Sequence, residues 1–356
     1  MINMVNYLDS RRIAGTTAER SSVPIPATSG GWVELGRTTL GSAGDNITVS
    51  SLANKRYYMI LRSVKGTTVG GAQSVSRFGS GSISTSGYAT RYNDNGGTDG
   101  TYTSGSFMLD GYDGNPELGV HYIANYSTKE KLMTGNLVSQ NTAGAGTAPN
   151  RREQASKWTN TSNPIDIINL FNNGGADFDT GSELVVLGWD PSDTHTTNFW
   201  EELADVTLSS AGDTLSSGTI TAKKYLWVQV YTKATGGTIQ QRMRFNSDSG
   251  NNYSERYSQD GGADGVITND GELLLSAAPS TPAFTNMFII NNQSNEKLVI
   301  GHNVNQGGVG AGNDPERFEF AHKWANTSNQ ITQIDIINTG TGDFDTNSFI
   351  KVWGSD

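Results

Sequence analysis

The chain of 356 residues contains no cysteine, which excludes disulfides and thiolate metal sites. It has no apolar run long enough to span a membrane, and its opening MINMVNYLDSRRIAGTT lacks the continuous apolar core of a secretory signal. A soluble protein made in a cytosol is the expectation. Basic residues are outnumbered 25 to 35, giving a net charge of -10, and neutralising phosphates needs a basic face, so nucleic acid is not an expected partner. Only four histidines occur (His121, His195, His302 and His322), scattered along the chain, with no His-Glu-x-x-His and no Gly-x-Ser-x-Gly. The glycine cluster from Gly307 to Gly312 lacks the strand-to-helix setting and following lysine of a phosphate loop. No ten-residue stretch makes an amphipathic helix.

What is abundant is glycine, at 43 residues, with loops crowded by Ser, Thr and Asn. Gly and Asn supply the positive φ of tight turns and are disfavoured inside helices, so the composition points to an all-β protein. Short alternation supports this. RFEFAHKW from Arg317 sets Phe318 and Phe320 on one face and Arg317 and Glu319 on the other, the period of a half-buried strand. YLWVQVY, KLVIGHNV, IDIIN and ELVVLGW read as more buried strands.

The same text is written twice. KWTNTSN at Lys157 to Asn163 returns as KWANTSN at Lys323 to Asn329, and other segments align in the same order. Trp32-Val-Glu-Leu answers Trp200-Glu-Glu-Leu, Lys55-Arg-Tyr answers Lys223-Lys-Tyr, and ADFDTGS from Ala176 answers GDFDTNS from Gly342. The chain therefore divides into an N-terminal arm (1–31), repeat one (32–190), a linker (191–199) and repeat two (200–356). A period this long makes each copy a domain rather than a solenoid unit. Roughly eight to ten strand-like runs per repeat predict two tandem two-sheet β-sandwiches with jelly-roll-like connections. Lys plus Arg against Asp plus Glu gives 3 to 2 in the arm, 12 to 14 in repeat one and 10 to 18 in repeat two. Most of the acidity is C-terminal.

In the repeated heptapeptide, Lys-Trp ends an alternating strand and Asn-Thr-Ser-Asn suits a turn, so a corner of the fold is expected. Asp177 with Asp179, and Asp343 with Asp345, flank a Phe and place paired acids on one face of an extended segment. Such pairs offer glycosidase chemistry or calcium ligation, set against simple turn closure. The DNGGTDG and DGGADG loops, with Asp94, Asp99, Asp260 and Asp264, pose the same choice. Tyr88, Tyr92 and Trp158, with Tyr253, Tyr257 and Trp324, are candidates for sugar stacking if their rings are exposed. The expectation is no catalytic site and no cofactor.

WVELGRTTLGSAGDNITVSSLANKRYYMIL, EKLVIGHNV, AGAGTAPNRRE, KWANTSN and DFDTGSELVVLGWD together resemble a family of virion structural proteins of tailed phages of aquatic bacteria. The resemblance spans both repeats and the YLDSRRIAGTTAER of the arm. It implies a β-rich particle component, with no family catalytic residues to carry over; the expectation is a homo-oligomer or a protein in many copies on the particle, made in the host bacterial cytoplasm. The arm is too poor in large apolar residues to build a core. It is expected to lie on a neighbouring virion protein, above all the major capsid protein, with Arg11, Arg12 and Arg20 meeting acidic groups. A tail or fibre component that binds a surface glycan is the alternative.

Overall fold

The computed structural model describes residues 31–193, 197–276 and 280–356, together with one short antiparallel pair, Tyr7–Leu8 (β1) against Arg11–Arg12 (β2). The rest of the arm expectation, Arg20 included, falls outside the described residues, as does His195. The described residues are all-β.

Repeat one forms an eight-stranded and a five-stranded antiparallel sheet. The larger runs Val33–Thr39 (β3), Glu183–Trp189 (β15), Tyr57–Val64 (β5), Glu117–Ala124 (β11), Lys131–Ser139 (β12), Asn150–Trp158 (β13), Tyr88–Asp94 (β8) and Gly100–Gly105 (β9). The smaller runs Met108–Asp113 (β10), Gln73–Ser80 (β6), Ile167–Asn172 (β14) and Asn46–Val49 (β4), with Ser82–Ile83 (β7) beside β6. Repeat two follows the same path. Its large sheet runs Glu201–Thr207 (β16), Phe349–Ser355 (β29), Tyr225–Thr232 (β18), Ala283–Ile290 (β24), Lys297–Asn305 (β25), Glu316–Trp324 (β26), Tyr253–Gln259 (β21) and Gly265–Asp270 (β22). Its small sheet runs Thr214–Ser216 (β17), Ile334–Asn338 (β27), Gln241–Phe245 (β20) and Leu273–Ser276 (β23); Ala234–Thr235 (β19) pairs Asp343–Phe344 (β28). The strand orders of the two large sheets and of the four-strand paths in the small sheets are the same; β7 and the β19–β28 pair have no counterpart among the described strands.

Each sandwich closes on its own core, holding Ile60, Phe78, Ile168 and Val186 in repeat one and Val228, Phe245, Ile336 and Val352 in repeat two. A third core lies between the large sheets, where Met59, Leu61, Leu118, Val120, Val185 and Leu187 meet Trp200, Tyr225, Phe288, Ile290, Leu298 and Ile300. The period of two sorts these residues. In β5, Tyr58, Ile60 and Val64 point into repeat one while Met59 and Leu61 point at repeat two. This is why YYMIL and ELVVL are continuously apolar: both faces are covered. Each such side chain contributes roughly 1.5–3 kcal/mol over exposure, so the repeats are joined by packing as well as by chain connection. Phe199, assigned to the linker by sequence, is part of this third core.

The sequence reading of β26 as half-buried is corrected here. Phe318 and Phe320 do enter the repeat-two core, but Glu319, Ala321 and Lys323 on the opposite face are buried as well. Polar residues sit there because repeat one supplies their partners.

Candidate functional site

The repeated heptapeptides form matching corners. Trp158 and Trp324 are buried, each stacked on the tyrosine that opens the neighbouring strand, Tyr88 at 6.2 Å and Tyr253 at 6.3 Å between ring centroids. The Oδ1 atoms of Asn160 and Asn326 each accept the next turn's amides, from Ser162 and Asn163 and from Ser328 and Asn329. Their carbonyls accept from a buried lysine. Lys131 Nζ donates to the carbonyls of Ser127, Lys129 and Asn160, and Lys297 Nζ to those of Gln293, Asn295 and Asn326. A lysine ammonium has three donors and no acceptor, so each corner uses one up completely.

Four of the six sugar-stacking candidates are therefore corrected. Tyr88, Trp158, Tyr253 and Trp324 are core rings, and the phenols of Tyr88 and Tyr253 accept from the amides of Phe78 and Phe245. No ring face is left for a ligand. Tyr257 is half-buried and stacks on Phe318 at 4.9 Å. Tyr92, also half-buried, lies under the Arg152 guanidinium at 4.8 Å and lines a cleft of about 360 Å³ shared with Arg91, Asp99, Asn136 and His302.

The acidic motifs behave as turn and ion-pair chemistry. Phe178 and Phe344 are buried between flanking aspartates, as alternation requires. Asp179 pairs with Lys65 at 3.2 Å and Asp345 with Lys233 at 2.7 Å, which holds the Asp345 carboxyl below its usual range. A hydrogen bond with Asp177 raises Asp45. In the glycine loops, Asn95-Gly96 and Asp260-Gly261 both adopt positive φ at the centre of a turn closed by Gly97 N to the Asp94 carbonyl and Gly262 N to the Gln259 carbonyl. Asn95 Oδ1 and Asp260 Oδ1 each accept the equivalent arginine amide, Arg151 and Arg317, at 2.9 Å. Asp94 makes a two-pronged pair with Arg152 at 2.6 and 2.8 Å, and Asp99 meets Arg91 at 3.4 Å. Asp264 reaches across to Arg151 in repeat one at 2.7 Å, close against Gly96, where a Cβ would stand 2.3 Å from its Oδ1.

One cluster has no counterpart in the sequence reading. Among the described residues, only Glu153, His302 and Glu319 bring three potential ligand atoms within 4.8 Å of one another. Burial, reinforced by Glu319, pushes the Glu153 carboxyl up to about 7, while Glu319 is held below its usual value. Arg151 reaches Glu319 at 3.2 Å and also bonds Glu153, and Arg317 reaches Glu319 at 2.9 Å. Two guanidinium groups already balance these acids, so the cluster is an interface network. Its residues come from different repeats, Glu153 from the first and His302 and Glu319 from the second, so nothing along the chain places them together.

The remaining buried polar groups differ between the copies in matched pairs. Arg62 Nη2 and Glu117 Oε1 meet at 2.9 Å in repeat one, where repeat two has Val230 and Ala283. Thr90 and Ser156 share a hydrogen bond at 2.9 Å where repeat two has Glu255 and His322, 3.6 Å apart. His322 stacks on Phe320, and burial pushes it down to about 3. Burial raises Glu255 to about 7, and burial lowers His121. Glu117 lines a cleft of about 530 Å³ with Lys224 and Glu296, and its carboxylate is engaged by Arg62 and Ser74.

No protein-family model and no curated protein matches the sequence. Among solved structures, the chain is similar to the LG1-3 region of the laminin alpha2 chain, at 7% identity over 87% of this chain and 64% of that one, with a TM-score of 0.20. It is also similar to domains LG4-5 of the mouse laminin alpha1 chain, at 9% identity over 93% and 90% of the two chains, with a TM-score of 0.19. A likeness this slight says nothing of what the chain binds.

Proposed function

We infer that the chain is a non-enzymatic structural component of a phage particle that decorates or cements the capsid surface, with the arm and repeat one toward the major capsid protein and acidic repeat two outward. The observation that carries the structural part is the third core. Two sandwiches fused face to face give one thick β unit, and the polar groups buried within each copy were exchanged in pairs for packing rather than kept as a reactive set. The charge division, 3 to 2 in the arm against 10 to 18 in repeat two, supports the orientation, and the sequence resemblance supplies the particle. The test adds full-length chain, or chain lacking residues 1–31, to particles that lack the native protein, and measures occupancy alongside thermal unfolding. The truncated chain is expected to keep its unfolding transition and lose occupancy. Full occupancy without the arm refutes the anchoring.

The cleft beside Tyr92 is the feature that favours the second reading, a tail or fibre component that binds a surface glycan. It combines one ring with Arg91, Asp99, Asn136 and His302, the mixture of stacking and hydrogen bonding that sugars use. Saccharide binding by the soluble chain, lost on Tyr92→Ala, would favour that placement.

A further inference from the structure

An apolar groove of about 420 Å³ lies open on the outer face of repeat one's large sheet, lined chiefly by Trp32, Tyr57, Tyr122, Leu132 and Trp189. The ladder registers give each residue its counterpart. Tyr57 and Ala124 are paired as Tyr225 and Ile290 are, and Ala124 and Leu132 as Ile290 and Leu298 are. Trp32, Tyr122 and Leu132 thus correspond to Trp200, Phe288 and Leu298.

The counterparts have opposite fates. Trp200, Phe288 and Leu298 are 5%, 8% and 1% exposed because repeat one covers them. Tyr122 and Leu132 are 38% and 58% exposed. The groove is continuous with the covered interface, since Trp32 packs against the third core at its edge. A surface that repeat two buries against a sister repeat has no such cover on repeat one among the described residues.

The complementary face lacks cover too among the described residues. Within the chain, Leu118 and Val138 do part of the covering and are fully buried. Their counterparts in repeat two are Phe284 and Val304, 37% and 43% exposed. One chain therefore carries a free copy of each half of its own internal interface.

We propose that the Trp32 groove of one molecule receives the Phe284 and Val304 face of a second copy, repeating between molecules the contact that joins the repeats within one. The two faces differ, so the contact is heterologous: each copy gives one face and accepts on the other, and the series closes into a ring or runs on. Gln229 and Asn286 stand in repeat two where Leu61 and Val120 stand in repeat one, so the contact between molecules is more polar and weaker than the one within a molecule. Reversible association follows, which suits a multi-copy surface component but does not depend on that reading.

The experiment is sedimentation velocity on the purified full-length chain at concentrations up to ~100 µM, with Leu132→Glu and Val304→Glu. Both positions are exposed, so both variants should keep the wild-type melting temperature; Tyr122→Lys and Phe284→Lys stand in if either does not. The wild type is expected to associate with rising concentration and each variant to stay monomeric. An equal mixture of the two variants is expected to form dimers and stop there, because each retains the face the other lacks. A wild type that stays monomeric throughout overturns the proposal, whether the groove serves another protein or the chain's own N-terminal segment. Association of Val304→Glu at wild-type strength overturns it as well, since the groove would then pair with itself.

Discussion

Glu153 and Glu319 hold equivalent positions in the two repeats and bring carboxyl oxygens within 4.8 Å of each other across the interface, with Arg151 reaching both. Two carboxylates this close hold one proton more readily than none. Burial first, and Glu319 second, push Glu153 up to about 7, above the roughly 4.3 of a free glutamate.

The sign follows from linkage. A carboxyl whose folded value is raised takes up a proton on folding, so its contribution is complete below about 4.3 and is lost as pH rises through about 7. Glu153→Gln keeps a hydrogen-bond donor toward Glu319 at every pH. The variant should match the wild type near pH 4, melt progressively higher than it between about pH 4.3 and 7, and keep a constant lead above that. Thermal melts across that range check it, and a difference that stays flat with pH would show that the pair shares no proton.

The pairwise exchange of buried polar groups gives a second expectation. Arg62 and Glu117 form an ion pair with both side chains almost fully buried. Removing one partner of such a pair leaves an uncompensated charge, at a cost of about 3–5 kcal/mol. Glu117→Ala alone should therefore lower stability by that order. Arg62→Val with Glu117→Ala writes in the residues repeat two already packs there, Val230 and Ala283, and should recover most of the loss. Denaturant melts of the two singles and the double measure the coupling; a double variant as unstable as Glu117→Ala would mean that Arg62 packing, not pairing, is what matters.

The all-β sandwich architecture was legible because alternation and turn chemistry act locally. RFEFAHKW placed Phe318 and Phe320 correctly, and the DNGGTDG and DGGADG loops hold turns in which Asn95, Gly96, Asp260 and Gly261 do take positive φ. Four of the six aromatic candidates are core rings, because a tyrosine or tryptophan in an alternating strand looks the same whether its face meets a core or solvent. Trp158 and Leu132 lie on neighbouring strands of one sheet, and only the layers on either side decide that the first is buried and the second exposed. The third core was hidden for a related reason. YYMIL and ELVVL announce strands covered on both faces, but not that the second cover is the other repeat. Glu153 and Glu319 meet only through that packing, and no spacing along the chain encodes it.

Lys157 and Lys323 are the same residue of the repeated heptapeptide, and the structure gives them different work. Lys157 is 45% exposed in its side chain and meets Glu130 at 3.0 Å; an exposed pair of this kind is worth about 0–1 kcal/mol. Lys323 is fully buried against repeat one, donating to the carbonyls of Gln140 at 3.1 Å and Thr142 at 2.6 Å, with Glu296 at 3.7 Å. Glu296 in turn accepts the amide of Gly144. Lys157→Ala should therefore change stability by no more than about 1 kcal/mol. Lys323→Ala strands buried acceptors on both sides of the interface, each costing about 1–3 kcal/mol, and should destabilise by about 2–4 kcal/mol. The loss should also be local. Hydrogen exchange ought to quicken at Asn269, whose amide bonds the Ala145 carbonyl in the same loop, while amides inside β5 and β18 keep their protection. Equal effects from the two lysines would mean that the 140–149 loop is held by something other than Lys323.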